Sequence, residues 1–206
     1  MKLSTSPSIA SKKMYSDISL QLINVLSQEI DAIQFVTENF PNDAEALVEK
    51  IVSTKGKIVF FGNGKSGLVA RKLVATFSSL GMPSLFIHPN DSLHGDIGVV
   101  QSNDLAIILS KSGSGIEFEY IFEFLRKQGN SSFLICCSNG PLCTRANITI
   151  VLPLKKEACP HNLAPTSSST LMMAFGDAIA IVSSQKKKFS SSDFARFHPA
   201  GTLGKK

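Results

Sequence analysis

Apolar positions along the chain fall into two kinds of pattern. Continuous runs rich in Val, Ile and Phe recur at KIVFFG (57–62), SLFIH (84–88), LAIILS (105–110), SFLICCS (132–138) and ITIVLP (148–153). Being continuous rather than alternating, they predict strands buried on both faces. Between them lie amphipathic segments, SGLVARKLVATFSSLG and IEFEYIFEFLRKQG, each closed by a glycine suited to a helix C-terminus. The alternation predicts an α/β fold, a doubly wound five-stranded parallel sheet flanked by helices. Upstream, residues 15–53 read as one long and one shorter helix, interrupted near Pro41. Downstream, PTSSSTLMMAFGDAIAIVSSQKKK reads as a long, largely buried helix. No internal repeat is evident, and the expected organisation is a flexible tail over 1–13 followed by one domain over 14–206.

Composition narrows the function classes. At 206 residues, with 43% apolar and 18% charged positions, the chain can bury a substantial core. No stretch approaches the roughly 18 apolar residues of a membrane span. The first 13 residues, rich in Ser and Lys, lack the apolar centre of a secretory signal. The net charge of +5 comes with lysine clusters at Lys12-Lys13, Lys186–Lys188 and Lys205-Lys206. These read as solvated ends rather than a nucleic-acid face, while the basic balance suits small anionic substrates. Cys136, Cys137, Cys143 and Cys159 contain no C-x-x-C pair. Neither a disulfide framework nor a zinc site is indicated, which fits a cytoplasmic protein.

In open α/β sheets, ligands bind at the carboxyl ends of the strands, which selects the loops after the first, second, third and fifth runs. The first is FFGNGKSGLVARK. Walker A spacing would need glycine where Val59 stands, so the P-loop reading fails. Gly62, Gly64 and Gly67 match the dinucleotide pattern, but the ribose-binding acid expected about 20 positions on is missing from Phe86-Ile87-His88. A loop that cradles a small phosphosugar remains. The third loop, SKSGSG, adds hydroxyls at Ser110, Ser112 and Ser114 ahead of a helix, a natural phosphate nest that also reads as a plain capped turn. HPNDSLHGD brings His88, Asp91, His94 and Asp96 to the same edge, and KKEACPHNLAPTSSST brings Glu157. Close to the C-terminus, FARFHPAGTLGKK contains His198.

The stretches GNGKSG, HPNDSLHGDIG, SKSGSGIE, KEACPHNLAPTSSST, GDAIA and FHPAGTLG, in this order over residues 57–204, resemble the sugar isomerase (SIS) domain family, and within it the bacterial arabinose-5-phosphate isomerases. The resemblance implies a flavodoxin-like sandwich without a cofactor. It places the active-site lysine at Lys65, catalytic glutamates at Glu117 and Glu157, a C-terminal histidine at His198 and a further pocket histidine at His94. It implies substrate contacts at Gly64, Ser66, Gly81, Met82, Ser110, Ser112, Ser114, Thr166 and Ser167, with inhibitory zinc at His88. Two departures stand out. The family loop reads S-N-S-G-E-[ST], whereas Lys111, Ser114 and Gly115 occur here, so one phosphate-gripping hydroxyl is lost at Gly115. Many members also continue into paired CBS regulatory domains, and this sequence stops at Lys206.

The implied reaction interconverts D-arabinose 5-phosphate and D-ribulose 5-phosphate through an enediol, supplying the lipopolysaccharide sugar Kdo. A general base must take the C2 proton, and donors must stabilise the enediol oxygens. Glu157, His94 and His198 are the alternatives for the base. Lys65 would neutralise developing charge, and Glu117 would orient Lys65 from about one turn into its helix. Other readings are an isomerase for another phosphosugar, of hexulose phosphate type, or a non-catalytic sugar-phosphate sensor. The sensor reading is weakened because no basic recognition stretch follows the N-terminal helices. The expected partners are a pentose phosphate and a second copy of the chain, in a homodimer or homotetramer with shared sites, not nucleic acid or membrane.

Overall fold

A computed structural model describes residues 16–199. The expected tail over 1–13 and the end of the FHPAGTLG stretch lie outside the described residues. Ser16 caps the first helix, α1 (Asp17–Glu38), its Oγ accepting the Ser19 N–H at 3.2 Å and satisfying one donor left over at the helix start. Pro41 falls in the break before α2 (Ala44–Ser53).

Five strands follow: β1 (Ile58–Gly62), β2 (Ser84–Ile87), β3 (Leu105–Ser110), β4 (Ser131–Cys136) and β5 (Ile148–Val151). They pair in parallel in the order β2-β1-β3-β4-β5, with Phe60 opposite Phe86 on one side and Ile107 on the other. Side chains alternate across a strand, so the central strands feed two cores. Phe60, Ile107 and Phe133 pack with Val36 of α1, Leu47 of α2, Leu73 of α3 (Gly64–Ser79) and Phe175 of α6 (Ser167–Lys186). Phe61, Ile108 and Leu134 pack with Phe118, Ile121 and Phe122 of α5 (Ile116–Gln128). The sheet is therefore covered on both sides, as doubly wound topology requires.

Continuous burial holds for β1 and β3, where every residue is buried, and nearly so for β4. Expectation fails at the edges. Most residues of β2 and β5 are only half-buried, because an edge strand has a neighbour on one side alone. Strands β4 and β5 also end earlier than their apolar runs, which continue into loops. Two short helices break up stretches expected as loops. Helix α4 (Pro89–Ser92) begins at His88, whose Nδ1 accepts the Asn90 N–H at 3.3 Å. Helix α7 (Ser191–Phe197) begins at Ser190, which exchanges hydrogen bonds with Asp193 in a capping box.

Two close approaches fix the helices that matter for the site. A Cβ on Gly67 would lie 2.5 Å from the Gly62 carbonyl oxygen, so glycine lets the first turn of α3 rest on the end of β1. The G-x-G-x-x-G spacing thus has a packing cause that needs no nucleotide. A Cβ on Gly176 would lie 2.4 Å from Leu73 Cδ1, so α6 sits close against α3. Among the described residues no helix is long and apolar enough to cross a membrane.

Candidate active site

The strand order reverses between β1 and β3, because the chain leaves β1 towards β2 and returns on its other side. A doubly wound sheet opens a crevice at such a point, beyond the carboxyl ends of the strands. Here the crevice is a cavity of about 240 Å³, lined by Asn63, Lys65 and Ser66 after β1, by Ser110, Lys111, Ser112 and Ser114 after β3, and by Glu117, Phe118 and Pro165. A larger cavity, of about 650 Å³, lies along the outer side of α5, but it is away from the strand ends and lacks this convergence of hydroxyls and ammonium groups.

Helix α3 starts at Gly64, so Lys65 and Ser66 stand in its first turn, where backbone N–H groups lack intrahelical acceptors and the helix dipole favours an anion. Asn63, at the N-cap, makes no capping bond with its side chain. Its Nδ2 instead donates to Glu117 Oε1, while its Oδ1 is buried without a partner among the described residues. Lys65 is exposed and has no ion pair or side-chain hydrogen bond among the described residues. On the facing loop, Ser110 Oγ accepts the Ser114 N–H at 3.3 Å, and the Ser112 and Ser114 hydroxyls meet at 2.6 Å. The loop is held from behind: Leu142 N–H donates to Gly113 O at 2.9 Å, and a Cβ on Gly140 would lie 2.3 Å from that same oxygen.

Glu157 lies behind this cavity with its side chain fully buried. Its Oε1 accepts the Ser168 hydroxyl at 2.6 Å and faces Lys111 Nζ at 2.7 Å. Its Oε2 accepts the N–H groups of Thr166 at 2.9 Å and Ser168 at 3.0 Å. Burial by itself would raise the pKa of this carboxyl. The Lys111 ammonium, the Ser168 hydroxyl and the two backbone donors overcome that effect and hold the pKa down at about 2. The result is an ionised carboxylate with hydrogen-bond or ion-pair partners on both oxygens.

The sugar isomerase domain family, described as "SIS domain", matches residues 50–182. The chain belongs to the SIS domain family. Over 182 residues it is 40% identical to the arabinose 5-phosphate isomerase KpsF of Escherichia coli, a match that covers 88% of this chain and 55% of that protein. It is 39% identical over 176 residues to the arabinose 5-phosphate isomerase KdsD of Escherichia coli O6:H1, covering 84% and 52% respectively. The chain therefore spans about half the length of these relatives. A solved structure of an Escherichia coli CFT073 protein in complex with arabinose 5-phosphate superposes with a TM-score of 0.85 at 37% identity, covering 90% of this chain and all of that one.

This SIS domain gathers Gly64, Lys65, Ser66, Ser110, Ser112, Ser114 and Glu117 at one edge, the first at the start of α3 and the others on the cavity wall. Glu117 is the second residue of α5, not a full turn in, and its Oε1 accepts from Asn63 Nδ2. Thr166 and Ser167 are occupied by the Glu157 loop: Thr166 serves the carboxylate, while Ser167 Oγ accepts the Ala158 N–H at 3.1 Å and donates to Glu29 Oε1 at 3.2 Å. Gly81 and Met82 belong elsewhere. They precede β2, at the amino edge of the sheet, where Met82 is buried and a Cβ on Gly81 would collide with the Phe189 ring at 2.5 Å. Neither lines the cavity at the carboxyl edge within this chain.

The histidines stand apart from the cavity. His94 sits in an exposed turn after α4. His198 follows α7, stacked on Phe194 at 3.9 Å between ring centroids, with Nδ1 2.9 Å from the Phe194 carbonyl. His88 caps α4 and meets the edge of Phe86, and among the described residues no group of three or more His, Cys, Asp or Glu forms a metal-ligand set. The cysteines are free thiols, and burial pushes those of Cys136 and Cys137 up to about 12. Three site residues escaped the sequence reading of contacts: Asn63, Lys111 as the partner of Glu157, and Ser168. The first directly follows a strand end and the last opens a Ser-rich helix start, so both carried a local signal. The Lys111–Glu157 pairing spans 46 positions and carried none.

Proposed function

We propose that this chain is the isomerase domain of an aldose–ketose isomerase acting on a pentose 5-phosphate, with D-arabinose 5-phosphate and D-ribulose 5-phosphate as its substrate pair. The observation that carries the reading is the Lys65 ammonium at the start of α3, unpaired among the described residues and facing a serine nest across the β1–β3 crevice. The likeness to relatives named arabinose 5-phosphate isomerases, and to a structure holding arabinose 5-phosphate, supports the choice of substrate.

In this reading the nest of Ser110, Ser112 and Ser114 takes the phosphate, with Ser66 and the α3 N-terminus opposite it. The sugar then extends towards Lys65, whose charge offsets the negative charge that develops on the enediol oxygens. A neutral imidazole takes the C2 proton and returns it to C1, since Glu157 is ionised but has no lone pair left open. We assign that role to His198 supplied by a second chain, since His94 and His198 both stand apart from the cavity in their own chain. The proton shuttle itself uses no redox cofactor. Purified protein assayed against a panel of aldose and ketose pentose and hexose phosphates, with a chelator present, tests the reading. Conversion of arabinose 5-phosphate well above the other sugars is expected, and turnover of hexose phosphates alone would sink it. Mixing Lys65→Ala and His198→Ala proteins under subunit exchange should restore activity. A dead mixture with proven exchange removes the shared site.

A further inference from the structure

The loop after β3 contains a charge that the isomerase reading leaves without a task. Lys111 directly follows Ser110, and its carbonyl accepts the Cys137 N–H at 2.9 Å, which pins the backbone. Its side chain is 36% exposed, enough to line the cavity shared with Lys65, yet its Nζ reaches back 2.7 Å to the buried Glu157. An ammonium has three N–H donors. One is directed at Glu157, and the other two have no partner among the described residues. Glu157 meanwhile receives hydrogen bonds from Ser168 and Thr166 on both of its oxygens. Lys111 therefore offsets the carboxylate's charge while keeping donors that face the cavity.

The rest of the loop offers a doubly charged ligand only neutral donors. The Ser112 and Ser114 hydroxyls already meet each other at 2.6 Å. Position 115 can offer none: it sits at φ +143°, where a Cβ would lie 2.7 Å from the Phe118 ring and 3.0 Å from Glu117 Oε1. Glu117 adds a negative charge to the same wall. A phosphate monoester, with about 1.5 to 2 negative charges at neutral pH, needs cationic partners there.

We propose that Lys111 is a second phosphate anchor, sharing its ammonium between Glu157 and the phosphate of the substrate, so that the ligand is held between Lys111 on the β3 side and the α3 N-terminus on the β1 side. The proposal rests on the sugar-phosphate reading above and specifies its phosphate subsite. Charge-assisted hydrogen bonds to phosphate are stronger and shorter than neutral ones. Loss of this anchor should weaken binding about 10- to 100-fold.

The test measures dissociation constants for arabinose 5-phosphate and for inorganic phosphate by calorimetry, with melting temperature recorded for each protein. Removing Lys111 alone would strand a buried charge, so the informative protein is the double variant Lys111→Met/Glu157→Gln, which removes the pair as a unit. It should melt near the parent and bind both ligands about 10- to 100-fold more weakly. Parental affinity in a folded double variant would show that Lys111 serves only Glu157, and overturns the anchor. Should the double variant fail to fold, Lys111→Arg and Lys111→Gln decide: arginine retains affinity and glutamine loses it, whereas equal affinities overturn the anchor. If the parent protein binds inorganic phosphate but no phosphosugar, the isomerase reading fails while the anchor stands or falls by the variants. A parent that binds neither overturns both.

Discussion

Two charged groups that the sequence marks as catalytic end in opposite environments. Lys65 is exposed at the start of α3 without an ion pair among the described residues, and Glu157 is fully buried with donors on both oxygens. The contrast teaches how to separate chemistry from architecture at a strand edge. A charge available to a ligand is one the protein has left incompletely bonded, while a carboxylate held by two backbone N–H groups, a hydroxyl and an ammonium has its energy committed to the fold. Glu157 ties the loop after β5 to the start of α6 and, through Lys111, to the end of β3.

The sharpest way to break the comparison is Glu157→Ala. It leaves the Lys111 ammonium and the Thr166 and Ser168 donors without their acceptor, and should cost about 3–5 kcal/mol of unfolding free energy in denaturant titrations. A loss near zero would mean that the buried carboxylate is not architectural. Acid should reproduce part of that loss. The folded pKa of about 2 lies below the unfolded value of 4.5, so ionised Glu157 stabilises the fold above about pH 4.5 and its contribution disappears as the pH falls towards 2. About 3 kcal/mol is at stake. Glu157→Gln should show a flatter stability curve between pH 5 and 3, and parallel curves would argue against the depressed pKa.

Lys65→Met should behave in the opposite manner. Melting should hardly move, while kcat falls by about 100-fold, the scale of a lost charge-stabilising donor, equivalent to about 2.7 kcal/mol of barrier. A raised KM with unchanged kcat would reduce Lys65 to ground-state binding. The smallest effect belongs to a surface pair. Arg145 Nε lies 2.6 Å from Glu119 Oε2 with more than half of the arginine side chain exposed, so Arg145→Ala should cost no more than about 1 kcal/mol. A larger loss would blur the distinction between buried and exposed pairs that the Glu157 series depends on.

The sheet was legible because its signal is local and continuous. Fully buried central strands must be apolar on both faces, and IVFFG and LAIILS can hardly be read otherwise. That Lys65, Ser110 and Ser112 would share one edge was legible for the same reason, since they lie within three residues of a strand end. What the sequence hid is set by contacts distant in the chain. Nothing near Glu157 reveals that Lys111, 46 positions away, would pair with it and lower its pKa. Gly81 and Met82 stand away from the cavity because they follow a helix end, which in this topology lies at the amino edge of the sheet. Helix α7 was missed although Ser190 and Asp193 stand at capping-box spacing, because a seven-residue helix has too little apolar periodicity to register.

Strand β3 pairs with β1 over Leu105–Leu109 on one side and with β4 over all six residues on the other, and all six are buried. Its amide protons can reach solvent deuterium only when the whole sheet comes apart, so they should be among the slowest to exchange in the molecule. Just beyond Ser110 the same backbone enters a loop with Ser112 and Ser114 exposed to water. Exchange half-lives should consequently drop by orders of magnitude across two or three peptide units. A ligand settling on that loop would be registered as a sudden slowing at its amides alone, against a silent strand that serves as the internal clock.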